Sequence, residues 1–236
     1  MAEKQPSNVD LWLGRETNRT RKALESASRH FDASDNLTVN TLEAVYGQES
    51  SFGTMLGKRG SASAVGHFRL EPATARRYGL SVSKRNDQRF DIDYASSAAA
   101  RYLKDLDSMF GKKTRLSEGL DTIPVKTVSE RKKFVIGAYN GGEGRIATAQ
   151  RLAERAGKDP RLWSNVETFL ELAKASKAKT EEIRQYVEKI LAYEAEFALK
   201  SPANKKMKQK KPRKGRYRCT EGHWVTIDDR PVFICD

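Results

Sequence analysis

The chain has 236 residues, 38% of them hydrophobic and 32% charged, enough for one domain with a real core plus extra segments, while a mean hydropathy of −0.72 predicts a strongly polar surface. Two cysteines exclude a disulfide scaffold and leave the redox compartment open, and no apolar run is long enough to cross a membrane. The net charge of +13 points to a polyanionic partner: nucleic acid, anionic lipid or an acidic wall polymer.

Met1 to Asn8 is polar and lacks the apolar core of a secretory signal. The expected route out of the cytoplasm is therefore a signal absent from this sequence, a virion or a dedicated secretion machine. Val9 to Phe31 reads as one or two weak helices, and Asp32 to Asn36 as a turn. Asn40 with Glu43 suggests a capped helix start. That helix carries Leu42, Val45 and Tyr46 and ends near Ser51 and Gly53. Gly53 to Gly66 has no periodicity and reads as loop. Pro72 to Tyr78 predicts a short helix with an early proline. Asp91 to Phe110 predicts a long one, with Ile92, Ala95, Ala99, Tyr102, Leu103, Leu106 and Met109 on one face.

Gly111 to Pro124 reads as loop, and Ser129 to Tyr139 as a helix closing in a glycine turn, Asn140 to Gly144. Further helices are expected at Ile146 to Ala156, Trp163 to Ala173 and Thr180 to Leu199, the last with Ile183, Val187, Ile190 and Leu191 inward. Strand signals gather only at the end, at Tyr217 to Cys219, Trp224 to Ile227 and Val232 to Cys235. Lys200 to Lys214 holds eight basic residues and no acid. More than half of the net charge thus sits in a flexible tether. The fold class is mainly α with a small C-terminal β module, too short to hold a core alone and expected to dock on the body or a partner. The boundaries are a helical extension at 1–36, a principal domain at 37–199, a basic linker at 200–215 and the β module at 216–236.

Glu49 is the candidate for chemistry. It ends a helix whose wall is apolar at Val45, Tyr46 and Phe52. A carboxyl group against apolar side chains keeps its proton to higher pH and can donate it, as glycosidic cleavage requires. From spacing alone, an exposed glutamate at a helix end is the simpler reading. In the β module Cys219, His223 and Cys235 admit three readings: metal ligands lacking a fourth, a disulfide, or two free thiols. The glycine turn is no phosphate loop, since no strand precedes it and no Lys-Ser/Thr follows. The tether has no interleaved aromatics for base stacking, so it fits a solvated linker or an anionic envelope surface better than nucleic acid.

Four blocks in order resemble the soluble lytic transglycosylase family, relatives of goose-type lysozyme. They are Glu49-Ser50; Gly66-His67-Phe68-Arg69 followed by Pro72-Ala73-Thr74-Ala75; Ala138-Tyr139-Asn140-Gly141-Gly142 with Gly144-Arg145; and Arg184-Gln185-Tyr186-Val187 followed by Ile190. The alanine-rich Asp91 to Leu106 segment is similar as well, so the likeness runs from about Leu37 to Tyr193. It implies a lysozyme-like helical domain, peptidoglycan as substrate, an envelope or virion setting, and no metal or cofactor. Glu49 would be the single acid and base. It would protonate the oxygen between MurNAc and GlcNAc, then take the proton of the MurNAc C6 hydroxyl as a 1,6-anhydro ring closes. The substrate-binding set would be Ser50, Phe68, Arg69, Tyr139, Asn140 and Tyr186. Of these, Tyr139 and Asn140 would line the cleft, Tyr186 would hold Glu49, and Ser50 would support the loop or touch substrate.

The departures lie at His67-Phe68-Arg69, where the family has an apolar-Met-Gln sequence. Phe68 can replace Met as an apolar wall. His67 is expected to pack or face water. Arg69 can bind a stem-peptide carboxylate, pair with Glu71 or another acid, or approach Glu49 and weaken it as an acid. The rival readings are a hydrolytic muramidase, a wall-binding or assembly protein that kept the fold without catalysis, and a nucleic-acid binder driven by the tether.

Overall fold

Two hydroxyl caps decide how the chain begins to fold. Ser7 accepts a hydrogen bond from the Asp10 amide at 3.2 Å, and the Asp10 carboxylate accepts one from the Ser7 amide at 3.1 Å, starting helix α1 (Asn8–Arg15). Thr17 accepts from the Thr20 amide at 3.1 Å and starts α2 (Asn18–Ala27). The computed structural model describes residues 5–201, with backbone alone for 222–227 and 230–235. The expected Tyr217 to Cys219 strand, the tether from residue 202 on, and the side chains of Cys219, His223 and Cys235 lie outside the described residues.

The body continues with α3 (Val39–Ser50), α4 (Pro72–Arg77), α5 (Ile92–Gly111), a hairpin of β1 (Arg115–Ser117) and β2 (Leu120–Asp121), α6 (Val128–Gly141), α7 (Glu143–Arg155), α8 (Trp163–Val166) and α9 (Lys177–Lys200). This is the mainly α, lysozyme-like architecture expected. Helix α3 is central: Leu42, Ala44, Val45 and Tyr46 are all buried, with α1, α2, α5 and α9 packed around it. Helix α6 bridges α5 and α9, and so brings its C-terminal end to the same place as the end of α3. Tryptophans lock the outer helices through glycines. A Cβ on Gly47 would stand 2.3 Å from the Trp12 ring, and one on Gly137 would stand 2.4 Å from Trp163. Only glycine lets α1 and α8 approach so closely.

Several sequence expectations need correction. The cap of α3 is Thr38, not Asn40 with Glu43. The Thr38 hydroxyl accepts from the Asn40 amide at 3.2 Å, and the Thr38 amide donates to the Thr41 hydroxyl at 3.0 Å. Glu43 instead points inward, where it accepts hydrogen bonds from Arg21 at 3.2 Å and Ser201 at 2.6 Å. The segment Gly111 to Pro124 is not all loop. It folds back as β1 and β2, and both Lys113 and Arg115 pair with Asp121. The glycine turn shrinks to a single residue: α6 runs through Asn140 and Gly141, and only Gly142, at φ 86°, breaks the helix. Gly141 serves packing, because a Cβ there would stand 2.8 Å from the Ile183 side chain of α9. Lys200 also belongs to helix α9, held by Asp10 at 2.7 Å and Glu196 at 2.6 Å.

Residues 202–236 form a second unit. Its strands β3 (Gly222–Ile227) and β4 (Arg230–Cys235) pair antiparallel, with Gly222 opposite Cys235 and Ile227 opposite Arg230. Among the described residues no helix is long and apolar enough to cross a membrane.

Candidate active site

Helix α3 stops one residue after Glu49. Ser51, Phe52 and Gly53 follow in the left-handed region, at φ 48°, 57° and 83°, and no helix continues through that conformation. Among the described residues five non-glycines have positive φ: Asn36, Ser51, Phe52, Arg69 and Lys174. Three of them surround Glu49. Each such residue costs on the order of 1 kcal/mol and persists only where neighbours enforce it.

Ser50 is one enforcer. Its hydroxyl donates to the His67 carbonyl at 2.8 Å and accepts from the Gly53 amide at 3.1 Å, tying the helix end to the Gly66 to Arg69 loop. Ser50 is wholly buried, so it supports the loop and stands away from the cleft. Phe68 is buried too, its ring stacked on Tyr46 at 5.3 Å. Its side chain is core rather than cleft wall, which corrects the expectation of an apolar surface facing substrate. What Phe68 gives the site is its carbonyl, which accepts the Tyr139 hydroxyl at 2.9 Å. His67 packs, its Nδ1 3.1 Å from the Tyr46 hydroxyl.

A cleft of about 1000 Å³ opens beside this helix end, and Glu49, Arg69, Tyr139, Asn140, Glu182 and Tyr186 line it. The Tyr186 hydroxyl, from α9, donates to Glu49 Oε1 at 2.6 Å. Burial pushes the Glu49 carboxyl up to about 7. The Tyr186 hydrogen bond and the charges of Arg69 and Lys179 pull it down, and Glu182 adds to the rise. Glu49 therefore holds its proton well above the ordinary carboxylate range, into the region where a group can both give and take a proton.

Arg69 makes no ion pair among the described residues, with Glu71 or with Glu49. Its Nε donates to the Glu49 carbonyl and its Nη2 to the Met55 carbonyl, each at 3.0 Å. Of the three roles open to it in the sequence, the geometry brings it to Glu49, but onto the backbone rather than the carboxylate. Asn140 is held on both sides: its amide donates to Glu182 at 3.0 Å and accepts from Lys179 at 3.1 Å.

Lys179 and Glu182 were not marked in the sequence, although a signal existed. They lie seven and four residues before Tyr186 and share its face of α9. Tyr102 and Glu143, hydrogen-bonded at 3.1 Å, line the far side of the cleft. Arg89, also unmarked, builds the floor of the loop. It is buried, pairs with Asp87 at 2.8 Å, and donates to the carbonyls of Ser61 and Ser63 at 2.9 Å and Leu70 at 3.2 Å. A Cβ on Gly66 would meet the Arg89 carbonyl at 2.1 Å, which explains the glycine there. No group of three or more His, Cys, Asp or Glu among the described residues could hold a metal ion.

Comparison with known proteins gives concordant matches. The family model for the transglycosylase SLT domain matches residues 27–162. The membrane-bound lytic murein transglycosylase D of Escherichia coli (strain K12) is 30% identical over 131 residues, covering 56% of this chain and 22% of its own length. The membrane-bound lytic murein transglycosylase F of Shewanella frigidimarina is 30% identical over 118 residues, 45% of this chain and 22% of its own length. That of Marinobacter nauticus is 49% identical over 43 residues, 18% of this chain and 9% of its own. The matches thus cover no more than about a fifth of these relatives.

Proposed function

The chain belongs to the transglycosylase SLT domain family, and from that premise we propose that it is a peptidoglycan lytic transglycosylase with Glu49 as its single acid and base. The observation that carries the reading is one carboxyl group at the edge of a sugar-sized cleft, held by Tyr186 at 2.6 Å and pushed by burial to about 7.

Neutral Glu49 gives its proton to the oxygen that bridges MurNAc C1 and GlcNAc, and the C1–O bond breaks. The N-acetyl oxygen of MurNAc shields the developing positive charge, as in substrate-assisted glycosidases. The Glu49 carboxylate then takes the proton of the C6 hydroxyl while O6 attacks C1 and the anhydro ring closes. The acid is regenerated, and no water, metal or redox partner is consumed. The nucleophile travels with the substrate, so its effective molarity is high without a second carboxylate. Tyr139 offers a ring for a sugar face to stack upon, and Asn140, fixed by Lys179 and Glu182, offers polar contacts to hydroxyl or N-acetyl groups. A substrate of this class places the site of action in the envelope.

The test is product analysis. Purified peptidoglycan digested by the full chain should yield 1,6-anhydroMurNAc ends by mass spectrometry, and Glu49→Gln should yield none. Reducing MurNAc ends carrying solvent oxygen would mean a muramidase instead. No soluble product, with retained binding to the polymer, would mean a wall-binding protein.

A further inference from the structure

Arg69 lies in the loop that packs on the end of helix α3 and reaches the backbone there. Helix α3 ends at Ser50, so its last carbonyls lack intrahelical partners. The Ser51 amide takes the Gly47 carbonyl at 2.9 Å and the Met55 amide takes the Ser50 carbonyl at 3.0 Å. The Glu49 carbonyl is taken by Arg69 Nε, and Nη2 of the same guanidinium takes the Met55 carbonyl. Those two carbonyls bracket the left-handed stretch Ser51 to Gly53 that turns the chain away from the catalytic helix.

We infer that Arg69 is a positioning residue, which clamps the helix end bearing Glu49 to the loop that follows and lays a fixed positive charge beside the acid without pairing with it. Two donors on one edge of a rigid plane can hold two carbonyls at once. A lysine ammonium, at the end of a flexible stem, does not reproduce that edge. A cation at a helix C-terminus is also electrostatically favourable there. Arg69 itself sits at φ 49°, a conformation that a non-glycine residue keeps only when its surroundings insist.

The charge has a chemical consequence. The groups facing the Glu49 carboxyl are Arg69 from the loop, Tyr139 from α6, and Lys179, Glu182 and Tyr186 from α9. Burial and Glu182 push the carboxyl up, while Tyr186, Arg69 and Lys179 restrain it. A cation held on the backbone thus trims the acid toward neutrality without locking it as an anion. The contrast with a direct ion pair is functional, because a paired carboxylate would not donate.

The inference rests on the proposed role of Glu49, and its test has a readout that needs no turnover. Arg69→Gln and Arg69→Lys are compared with the wild type in the full chain. Glu49 is titrated by carbon NMR of labelled glutamate, its signal identified by its loss in Glu49→Gln, alongside the pH profile of kcat/KM. In Arg69→Gln the titration and the alkaline limb should both rise by about half a pH unit, less than the ~1–3 units of a direct ion pair. In Arg69→Lys they should stay in place while kcat falls roughly 10- to 100-fold from misplacement of Glu49. If Arg69→Gln fails to fold, the lysine variant alone decides, through an unmoved titration with a lowered kcat. An unchanged titration in Arg69→Gln, or full kcat in Arg69→Lys, overturns the inference. An inactive wild type whose Glu49 titration still moves in Arg69→Gln would sink the enzymatic reading and leave the electrostatic role of Arg69 standing.

Discussion

Replacing Glu49 by Gln should make the protein more stable as it makes it inactive. Burial lifts the carboxyl from the ordinary 4.5 to about 7, and at ~1.4 kcal/mol per pH unit this sets an upper bound of about 3.5 kcal/mol. Cleft water reaches one side of the group, so about 1.5 kcal/mol is the expected difference after that screening. The sign follows from which state holds the proton. Between pH 4.5 and 7 the unfolded chain ionises first, so the wild type loses stability as pH rises through this window. Glutamine is neutral throughout and keeps an acceptor for Tyr186. At pH 4 the two proteins should melt together, whereas at pH 8 the variant should melt roughly 3–6 °C higher, at ~2–4 °C per kcal/mol for a unit of this size. Paired thermal melts at pH 4, 6 and 8 measure this directly, and the buried Glu43, identical in both proteins, cancels. Equal melting at pH 8 would refute the reasoning, as would a gain already present at pH 4.

Two further perturbations probe the supports of the site. Tyr186→Phe keeps the ring and removes a hydrogen bond to the carboxylate worth about 1.5–3 kcal/mol, so the alkaline limb of kcat/KM should rise by roughly one pH unit or more; an unmoved limb would show that the hydroxyl does not act on Glu49. Arg89→Met leaves the buried Asp87 unpaired and three loop carbonyls without their donor, and urea unfolding should show a loss of about 3–5 kcal/mol. A loss below about 1 kcal/mol would mean that the loop does not depend on that pair.

The helices that could be read from sequence are those with one apolar face. In α5 and α9 the buried positions Ala95, Ala99, Leu103, Leu106, Ile183, Val187 and Ile190 recur at helical spacing because the opposite face meets water. Helix α3 is covered on most sides, so its pattern is blurred and its cap was misplaced. Glu43 looked like a capping partner because a single sequence does not reveal that Arg21, on another helix, awaits it inside. The glycine turn failed for a related reason: Gly141 is small to admit Ile183, not to reverse the chain. At the site, no spacing rule could join Glu49 to a tyrosine 137 residues away; the family resemblance supplied that pair. Lys179 and Glu182 needed only the periodicity of α9. Ser50 takes the loop-supporting one of its two expected roles, whereas the Phe68 side chain turns into the core, because motif adjacency says which residues are near a site, not which way each side chain turns.

A raised pKa does not by itself identify the catalytic acid, and α3 carries the internal control. Burial pushes Glu43 up to about 7, as it does Glu49. Glu43 is fully buried, bonded to Ser201 at 2.6 Å and Arg21 at 3.2 Å, and its second oxygen is buried without a partner. A proton on Glu43 has no path to a sugar, so its perturbation is only a cost to folding, one that grows as pH rises from 4.5 to 7. Six residues along the same helix, a carboxyl likewise lifted by desolvation stands partly exposed at the mouth of a cleft, with Tyr186 aiming one oxygen and Arg69 holding the backbone beneath it. Desolvation supplies the proton affinity in both places, and access to substrate decides which of the two carboxyls can spend it on chemistry.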